Sequence, residues 1–344
     1  MSIERQLCEH IQQIHAHIRD AVVRACEDSA LEQLAHVDAE EGGDTIFAID
    51  RVSEAVLIEQ FSALGAMVPF RLVAEGLGES GIRDFPAGVD HDDLAYIIIV
   101  DPIDGTRGLM YQKRSAWILT GVAPYRGPAT NLSDITIAVM TEIPLVKQHL
   151  SDQYWAIRGQ GVQARRTNRF GGDDIILPVR PSQATTILQG FGNVARFFPG
   201  ERARLAAVDD MVVTVLLGAP PAGRALCFED QYISTGGQFA ELLAGHDRWL
   251  ADVRPLLLAP SARHAHTAML CCHPYDVCTE LIAREAGIVV CKANGTPLDA
   301  PLDVGSPVSW VAFANEALAA TVLPALQEAL RHHDMPLEDH HALA

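Results

Sequence analysis

Three short apolar segments in the first third of the chain each end on a carboxylate, and this pattern restricts the folds that the chain can adopt. The segments are TIFAID, PFRLVAE and LAYIIIVD, which end at Asp50, Glu75 and Asp101. Each has the length and the β-branched or aromatic content of a short buried strand. Because strands that end together bring their last side chains to one edge of a sheet, we expect these three carboxylates to approach one another.

The third segment continues into DPIDGT, residues 101–106. The proline fits the second position of a tight turn, and the glycine provides the backbone freedom to leave that turn. Such a turn aims Asp101 and Asp104 at a common point near the Ile103 carbonyl, and these hard oxygen ligands suit Mg²⁺ or Mn²⁺. Thr106 can cap a short helix whose first N–H groups would bind a phosphate. An ordinary surface turn before a helix has the same local sequence, so the turn alone leaves both interpretations open.

The charge of the chain limits its partners. The 344 residues carry a formal net charge of −18, from 44 acidic and 26 basic residues. Nucleic acid and anionic membranes require a basic surface, so we expect neither as a partner. An acidic protein can still act on an anionic substrate if metal cations reverse the field inside the site.

The location of the protein is inferred from its apolar segments. No apolar stretch approaches the roughly 18–20 residues of a membrane helix, and the charged start MSIERQ is unlike a signal peptide. We therefore expect a cytoplasmic protein. The seven irregularly spaced cysteines predict reduced thiols rather than a disulfide framework.

The remaining patterns predict two lobes, an N-terminal α+β lobe at 1–180 with most metal ligands and a C-terminal α/β lobe at 181–344. Helical periodicity covers residues 2–38, and three antiparallel strands follow the DPIDGT turn, with a tight turn at Gly159 and Gly161. In the second lobe, ATTILQGFGN and TAMLCCHP are predicted strands. The predicted helices are STGGQFAELLAGH and PYDVCTELIAREAG, the second of which ends at Gly287.

In sequence, the chain resembles the inositol monophosphatase family, within the wider group of Mg²⁺-dependent, Li⁺-sensitive sugar and nucleotide phosphatases. DPIDGT is similar to the first signature of that family, and YDVCTELIAREAG from Tyr275 onward is similar to the second. DTIFAID, from Asp44 to Asp50, is similar to an upstream block of the family. RGQGV and STGGQFAELLAGHDRW are similar to its glycine hairpin and to its small-residue helix beside the substrate. The resemblance runs in order from about residue 40 to 305.

The resemblance implies an α+β fold, a layered α-β-α-β-α sandwich in two lobes, and a phosphomonoesterase that uses two or three Mg²⁺ ions, with Mn²⁺ as a substitute. Thr106, together with Asp50 or Glu75, would orient and deprotonate a metal-bound water. The substrate would be a small phosphorylated sugar, polyol or nucleotide, and the protein would be a homodimer. The implied metal ligands are Glu75, Asp101, the Ile103 carbonyl, Asp104 and Asp276. The implied phosphate and substrate contacts are Gly105, Thr106, Ser234, Thr235 and Gly236.

Departures from the family pattern bear on the substrate. AEGLGES replaces the usual Gly-Glu-Glu, which makes Glu75 the expected ligand and Glu79 a reserve. Met269 stands where the family has an acidic contact to inositol hydroxyls, which weakens inositol phosphate as the substrate, and the segment 250–268 would reshape the pocket. Arg107 and Arg114 are candidates for a second anionic group of the substrate. The alternative to an enzyme is a catalytically silent homologue that binds metal or phosphate in a regulatory role.

Overall fold

In the computed structural model, the described part of the chain comprises residues 2–28, 37–41, 44–77, 80–257 and 270–338, with the backbone alone at 37–41 and 44–48. The helices have the following bounds: α1 Ile3–Asp28, α2 Ala48–Gly65, α3 Thr106–Met110, α4 Arg202–Leu217, α5 Thr235–Leu243, α6 Pro274–Val277, α7 Glu280–Glu285 and α8 Glu316–His332. The first ten strands are β1 Val37–Glu41, β2 Asp44–Phe47, β3 Phe70–Ala74, β4 Ile82–Phe85, β5 Tyr96–Asp104, β6 Ala116–Pro124, β7 Ile137–Ile143, β8 Leu150–Ile157, β9 Val162–Asn168 and β10 Ile175–Ile176. The last four are β11 Phe191–Val194, β12 Asp247–Asp252, β13 Val289–Cys291 and β14 Trp310–Phe313.

These elements stack in five alternating layers. One eight-stranded sheet has the order β10-β9-β8-β7-β6-β5-β3-β4, and a four-stranded sheet has the order β11-β12-β14-β13. Helices α1 and α2 cover the outer face of the large sheet, and α4 and α8 cover the outer face of the small one. Between the sheets lie α5, which contacts β6 and β12, together with α6 and α7. The order is therefore α-β-α-β-α, as the resemblance implies.

The large sheet is buried on both faces because its central strands alternate between two cores. Along β5, Ile98 and Val100 face the helices α1 and α2, while Ile97 and Ile99 face the small sheet. Both faces are apolar, so these strands appear in the sequence as near-continuous apolar runs. Along β5 itself, the buried polar residues are Asp101 and Asp104, at the carboxyl end of the strand.

A buried histidine fixes α1 on the large sheet. His15 is fully buried, and its two ring nitrogens lie 2.9 Å from Thr141 Oγ1 and 2.7 Å from Thr120 Oγ1. Burial lowers the pKa of His15 to about 3, so the ring is neutral at physiological pH. A neutral ring between two hydroxyls satisfies all three groups and anchors the helix without a buried charge.

The structure corrects several predicted elements. Asp50 does not end a strand: β2 stops at Phe47, and Asp50 lies in the first turn of α2. The described part of TAMLCCHP, residues 270–273, contains no strand, and PYDVCTELIAREAG forms two short helices separated at Cys278 and Thr279. The predicted lobe boundary at 180/181 falls between β10 and β11 and stays a prediction. All seven cysteines are free thiols. Among the described residues, no helix is long and apolar enough to cross a membrane.

Candidate active site

Three carboxylates converge where β5 ends and α6 begins. One oxygen from each of Asp101, Asp104 and Asp276 lies within 4.8 Å of the others. Asp101 and Asp104 are 4% and 6% exposed, and Asp276 is half-buried. The two signature motifs, one with Asp104 and the other with Asp276, are 172 residues apart at these positions (276 − 104) and meet at one point in the fold.

The turn at DPIDGT sets the direction of the first two carboxylates. Asp101 Oδ1 accepts a hydrogen bond of 3.0 Å from the Ile103 N–H, which closes a local turn around the proline. Gly105 has a φ of 95°, and a Cβ there would lie 3.0 Å from the Ile233 carbonyl oxygen and from Ser234 Cβ. Both the left-handed backbone and the close approach require glycine at this position.

The electrostatics of the cluster favour a cation. Burial raises the pKa of Asp101 well above its usual value, and the charges of Asp104, Asp276 and Glu75 raise it further. Burial raises the pKa of Asp104 to about 6. Burial and the charge of Asp104 raise the pKa of Asp276 well above its usual value. A group of buried carboxylates that repel one another fits a hard divalent cation such as Mg²⁺, whose positive charge and preference for oxygen ligands match this donor set.

Asp276 is fixed by its own helix and by a neighbouring arginine. Its Oδ2 accepts a hydrogen bond of 2.6 Å from the His273 N–H at the start of α6. The buried Arg254 forms an ion pair with Asp252 and donates to the Leu270 carbonyl oxygen at 2.9 Å. The positive charge of Arg254 partly offsets the raised pKa of Asp276. Arg254 thus holds the segment that leads to Asp276.

The glycine hairpin at Gly159 and Gly161 contacts the helix pair that carries Asp276. The N–H groups of Gly159 and Gly161 each donate to the Glu285 carboxylate at 2.7 Å. Glu285 ends α7, which follows α6 in the chain. The RGQGV and EAG motifs are therefore two halves of one contact between the large sheet and the helix pair that carries Asp276.

Thr106 connects the turn to α2. Its hydroxyl lies 2.8 Å from the Ile103 carbonyl oxygen and 3.2 Å from Asp50 Oδ1, both within donating distance. The family resemblance implies a role for this pair in water activation, and the structure brings the two side chains together. Glu75 follows β3 directly and acts on the pKa of Asp101, although it lies outside the group of three carboxylates. Glu79 and Met269 lie outside the described residues.

The start of α5 has a partner that the sequence did not predict. Asp104 Oδ2 accepts from Ser234 Oγ at 2.8 Å and from the Gly236 N–H at 2.6 Å, and Asp104 Oδ1 accepts from the Thr235 N–H at 3.3 Å. The family resemblance implies that these three residues bind phosphate or substrate, which stays a prediction. In the structure their donors hold the carboxylate of Asp104.

Arg107 and Arg114, the two candidates for contact with a second anionic group of the substrate, have intramolecular partners. Arg114 forms ion pairs with Asp230 at 2.5 Å and with Glu241 at 3.2 Å, so it is engaged in holding α5. The Arg107 guanidinium lies 5.3 Å from the centre of the Phe198 ring. Arg114 therefore has structural contacts of its own, and substrate contacts by Arg107 or Arg114 stay a prediction.

Solved structures provide the comparison with known proteins. No protein-family profile matches the chain. No curated protein matches its sequence either. Fructose-1,6-bisphosphatase from Leishmania major is similar in structure with a TM-score of 0.67 and 13% identity over 93% of each chain. The extragenic suppressor protein SuhB from Bartonella henselae has a TM-score of 0.63 and 15% identity, over 94% of this chain and 99% of SuhB.

A third similar structure is that of a hypothetical protein from Pyrococcus horikoshii, described as having similarities to inositol-1 monophosphatase. It has a TM-score of 0.61 and 17% identity, over 94% of this chain and 98% of that one. These matches cover nearly the whole length of the chain. The chain therefore has the same layered fold as these solved structures, that of the inositol monophosphatase and fructose-1,6-bisphosphatase type. The resemblance inferred from the sequence is confirmed at the level of the fold.

Proposed function

We propose that this protein is a metal-dependent phosphomonoesterase that hydrolyses a small phosphorylated sugar, polyol or nucleotide. The observation that carries the proposal is the convergence of Asp101, Asp104 and Asp276 within 4.8 Å inside a phosphatase-type fold. Structural roles alone do not account for two buried carboxylates and a half-buried one whose charges raise one another's pKa values. The homodimer and the cytoplasmic location stay predictions.

The residues that would hold Mg²⁺ are Asp101, Asp104 and Asp276, with Glu75 and the Ile103 carbonyl completing the set. When bound there, Mg²⁺ would neutralise the carboxylates, stabilise charge on the phosphate and lower the pKa of the attacking water. The protein's own contribution is to fix the ligands. The donors from Ser234 and Gly236 occupy Asp104 Oδ2, so that carboxylate has one defined orientation.

Thr106 and Asp50 would position the attacking water and receive its proton. Since the Thr106 hydroxyl lies 3.2 Å from Asp50 Oδ1, it can donate to Asp50 while its oxygen accepts from a water. Water would lose its proton to Thr106 Oγ1 as Thr106 passes its own proton to Asp50. We assign the phosphate oxygens to the N–H groups of Gly105 and Thr106 at the start of α3.

The function is tested by phosphate release from a panel of phosphomonoesters with Mg²⁺, with Mn²⁺ and with EDTA. The panel comprises inositol phosphates, fructose 1,6-bisphosphate, histidinol phosphate and 3′-phosphoadenosine nucleotides. We expect release from at least one of them, dependent on Mg²⁺ or Mn²⁺ and abolished by EDTA. Release that is indifferent to EDTA would contradict the metal dependence. Metal binding without release from any compound would favour the silent regulatory homologue.

A further inference from the structure

The orientation of Asp104 depends on where α5 begins. Both oxygens of its carboxylate accept hydrogen bonds from the first turn of that helix, from Ser234 Oγ and the N–H groups of Thr235 and Gly236. A carboxylate bound in this way can turn only if the start of the helix moves. Whatever fixes the first turn of α5 therefore also fixes Asp104.

Tyr232 packs against that first turn. A Cβ added to Gly237 would lie 2.3 Å from Tyr232 Cζ, so the ring occupies the space that any other side chain at this position would fill. The Gly237 N–H donates to Ser234 Oγ at 2.8 Å, and Ser234 in turn donates to Asp104. The Tyr232 ring thus contacts the residue that orients the serine.

The other end of Tyr232 is fixed to β6. Its hydroxyl donates to the Ser115 carbonyl oxygen at 2.8 Å and accepts from Trp117 Nε1 at 3.1 Å. Trp117 is the residue that faces Asp104 in the register of β5 and β6. The Arg114 guanidinium lies over the Tyr232 ring, 4.0 Å from its centre. Tyr232 therefore connects the start of α5 to the strand that lies opposite Asp104.

We propose that Tyr232 is a positioning residue that holds the Asp104 carboxylate in the orientation needed to bind a divalent cation. The proposal rests on the proposed function, because it takes Asp104 to be a metal ligand. The Tyr232 ring contacts Gly237 and so fixes the start of α5. The Tyr232 hydroxyl binds Ser115 and Trp117 and so fixes the ring relative to β6. Residues that orient metal ligands contribute to metal affinity without touching the metal.

The test is Mn²⁺ affinity of Tyr232→Phe, measured by calorimetric titration of the full chain. The matched control is Tyr154→Phe. Tyr154 is also buried, at 5% exposed, and the centre of its ring lies 6.1 Å from the centre of the Trp117 ring. It differs from Tyr232 in that, within the described part of the chain, its hydroxyl forms no hydrogen bond. We expect Tyr232→Phe to lower Mn²⁺ affinity about tenfold, the lower end of the loss that follows replacement of a residue that orients a metal ligand. We also expect kcat to recover at saturating Mg²⁺.

The control should keep wild-type Mn²⁺ affinity. Equal Mn²⁺ affinity in Tyr232→Phe and wild type would overturn the positioning role, as would equal losses in both Tyr variants. Two reference variants, Asp101→Asn and Asp104→Asn, separate this outcome from a failure of the proposed function. If both reference variants keep Mn²⁺ affinity, the metal site itself is wrong. If they lose it and Tyr232→Phe does not, only the role of Tyr232 is wrong.

Discussion

Replacing Asp101 by Asn should lower kcat/KM for the best phosphomonoester by at least about 10³-fold, because removal of one neutral donor from an active site already costs about 10²–10³. Asn has nearly the same shape and keeps an oxygen to accept the Ile103 N–H. It removes the negative charge that a divalent cation needs. The measurement is kcat/KM at saturating Mg²⁺, together with thermal unfolding of the metal-free protein.

The same substitution should stabilise the metal-free protein. Burial and three neighbouring carboxylates raise the pKa of Asp101, so its charge destabilises the fold when no cation is present. We expect a gain on the order of 1 kcal/mol at pH 7, the usual size of a single-substitution effect. Loss of activity together with a gain in stability distinguishes a functional carboxylate from a structural one.

The pH dependence of that gain follows from the direction of the shifts. The pKa of Asp104 is raised to about 6 from the usual 3.8, so the destabilisation by its charge is absent below about pH 4, grows as the pH rises from 4 to 6 and is complete above about pH 6. Asp101 is shifted in the same direction. The advantage of Asp101→Asn should therefore be present at pH 7 and vanish near pH 4. An equal advantage at both pH values would contradict this assignment.

Asp247→Asn is the matched control. Asp247 is 7% exposed, burial raises its pKa to about 7, and it begins β12 at the end opposite to Asp252. Within the described residues its carboxylate forms no hydrogen bond or ion pair. Its replacement should also stabilise the metal-free protein at pH 7. It should leave both hydrolysis and the response to Mg²⁺ unchanged, because it lies outside the cluster.

Replacing Thr106 by Val should lower kcat by about 10²–10⁴-fold, the usual contribution of general acid–base catalysis. Valine has the shape of threonine without the hydroxyl that lies 3.2 Å from Asp50 and 2.8 Å from the Ile103 carbonyl oxygen. The loss should fall on kcat, with Mn²⁺ affinity retained, since the Thr106 side chain is not among the proposed metal ligands. Steady-state kinetics and a Mn²⁺ titration measure the two effects separately.

Thr106→Ser is the matched control for that prediction, because it restores the hydroxyl and removes only a methyl group. The serine variant should keep kcat within about tenfold of wild type, because its hydroxyl can still transfer a proton. Equal losses in the Val and Ser variants would show that packing of the methyl group matters and that the hydroxyl does not transfer a proton.

Local chemistry explains why part of the site was predictable from the sequence. In DPIDGT, the proline and Gly105 determine the turn, so the direction of Asp101 and Asp104 follows from residues next to them. Asp276 lies far along the chain and was located through the second signature motif. The position of Asp50 was wrong because an apolar stretch as short as TIFAID is consistent with either a strand or a helix start.

Contacts between distant segments account for what the sequence did not predict. Nothing in the stretch around Ser234 indicates that its donors go to Asp104, because that partner is 130 residues away. Tyr232 has no periodic or motif signal of its own. The adjacent pair Gly236 and Gly237 is the one local indication that a neighbour packs closely on the start of this helix. Each glycine costs about 1 kcal/mol in a helix relative to alanine, so its presence there implies that a side chain would not fit.

Anomalous diffraction from crystals grown with MnCl₂ tests the central claim most directly, because it locates the cation without reference to any substrate. The proposed function predicts an anomalous peak about 2.1 Å from carboxylate oxygens of Asp101 and of Asp104 or Asp276, as hard divalent cations require. Mn²⁺ bound at other residues while these three carboxylates have no peak among them would contradict the metal-dependent phosphatase proposed for this chain.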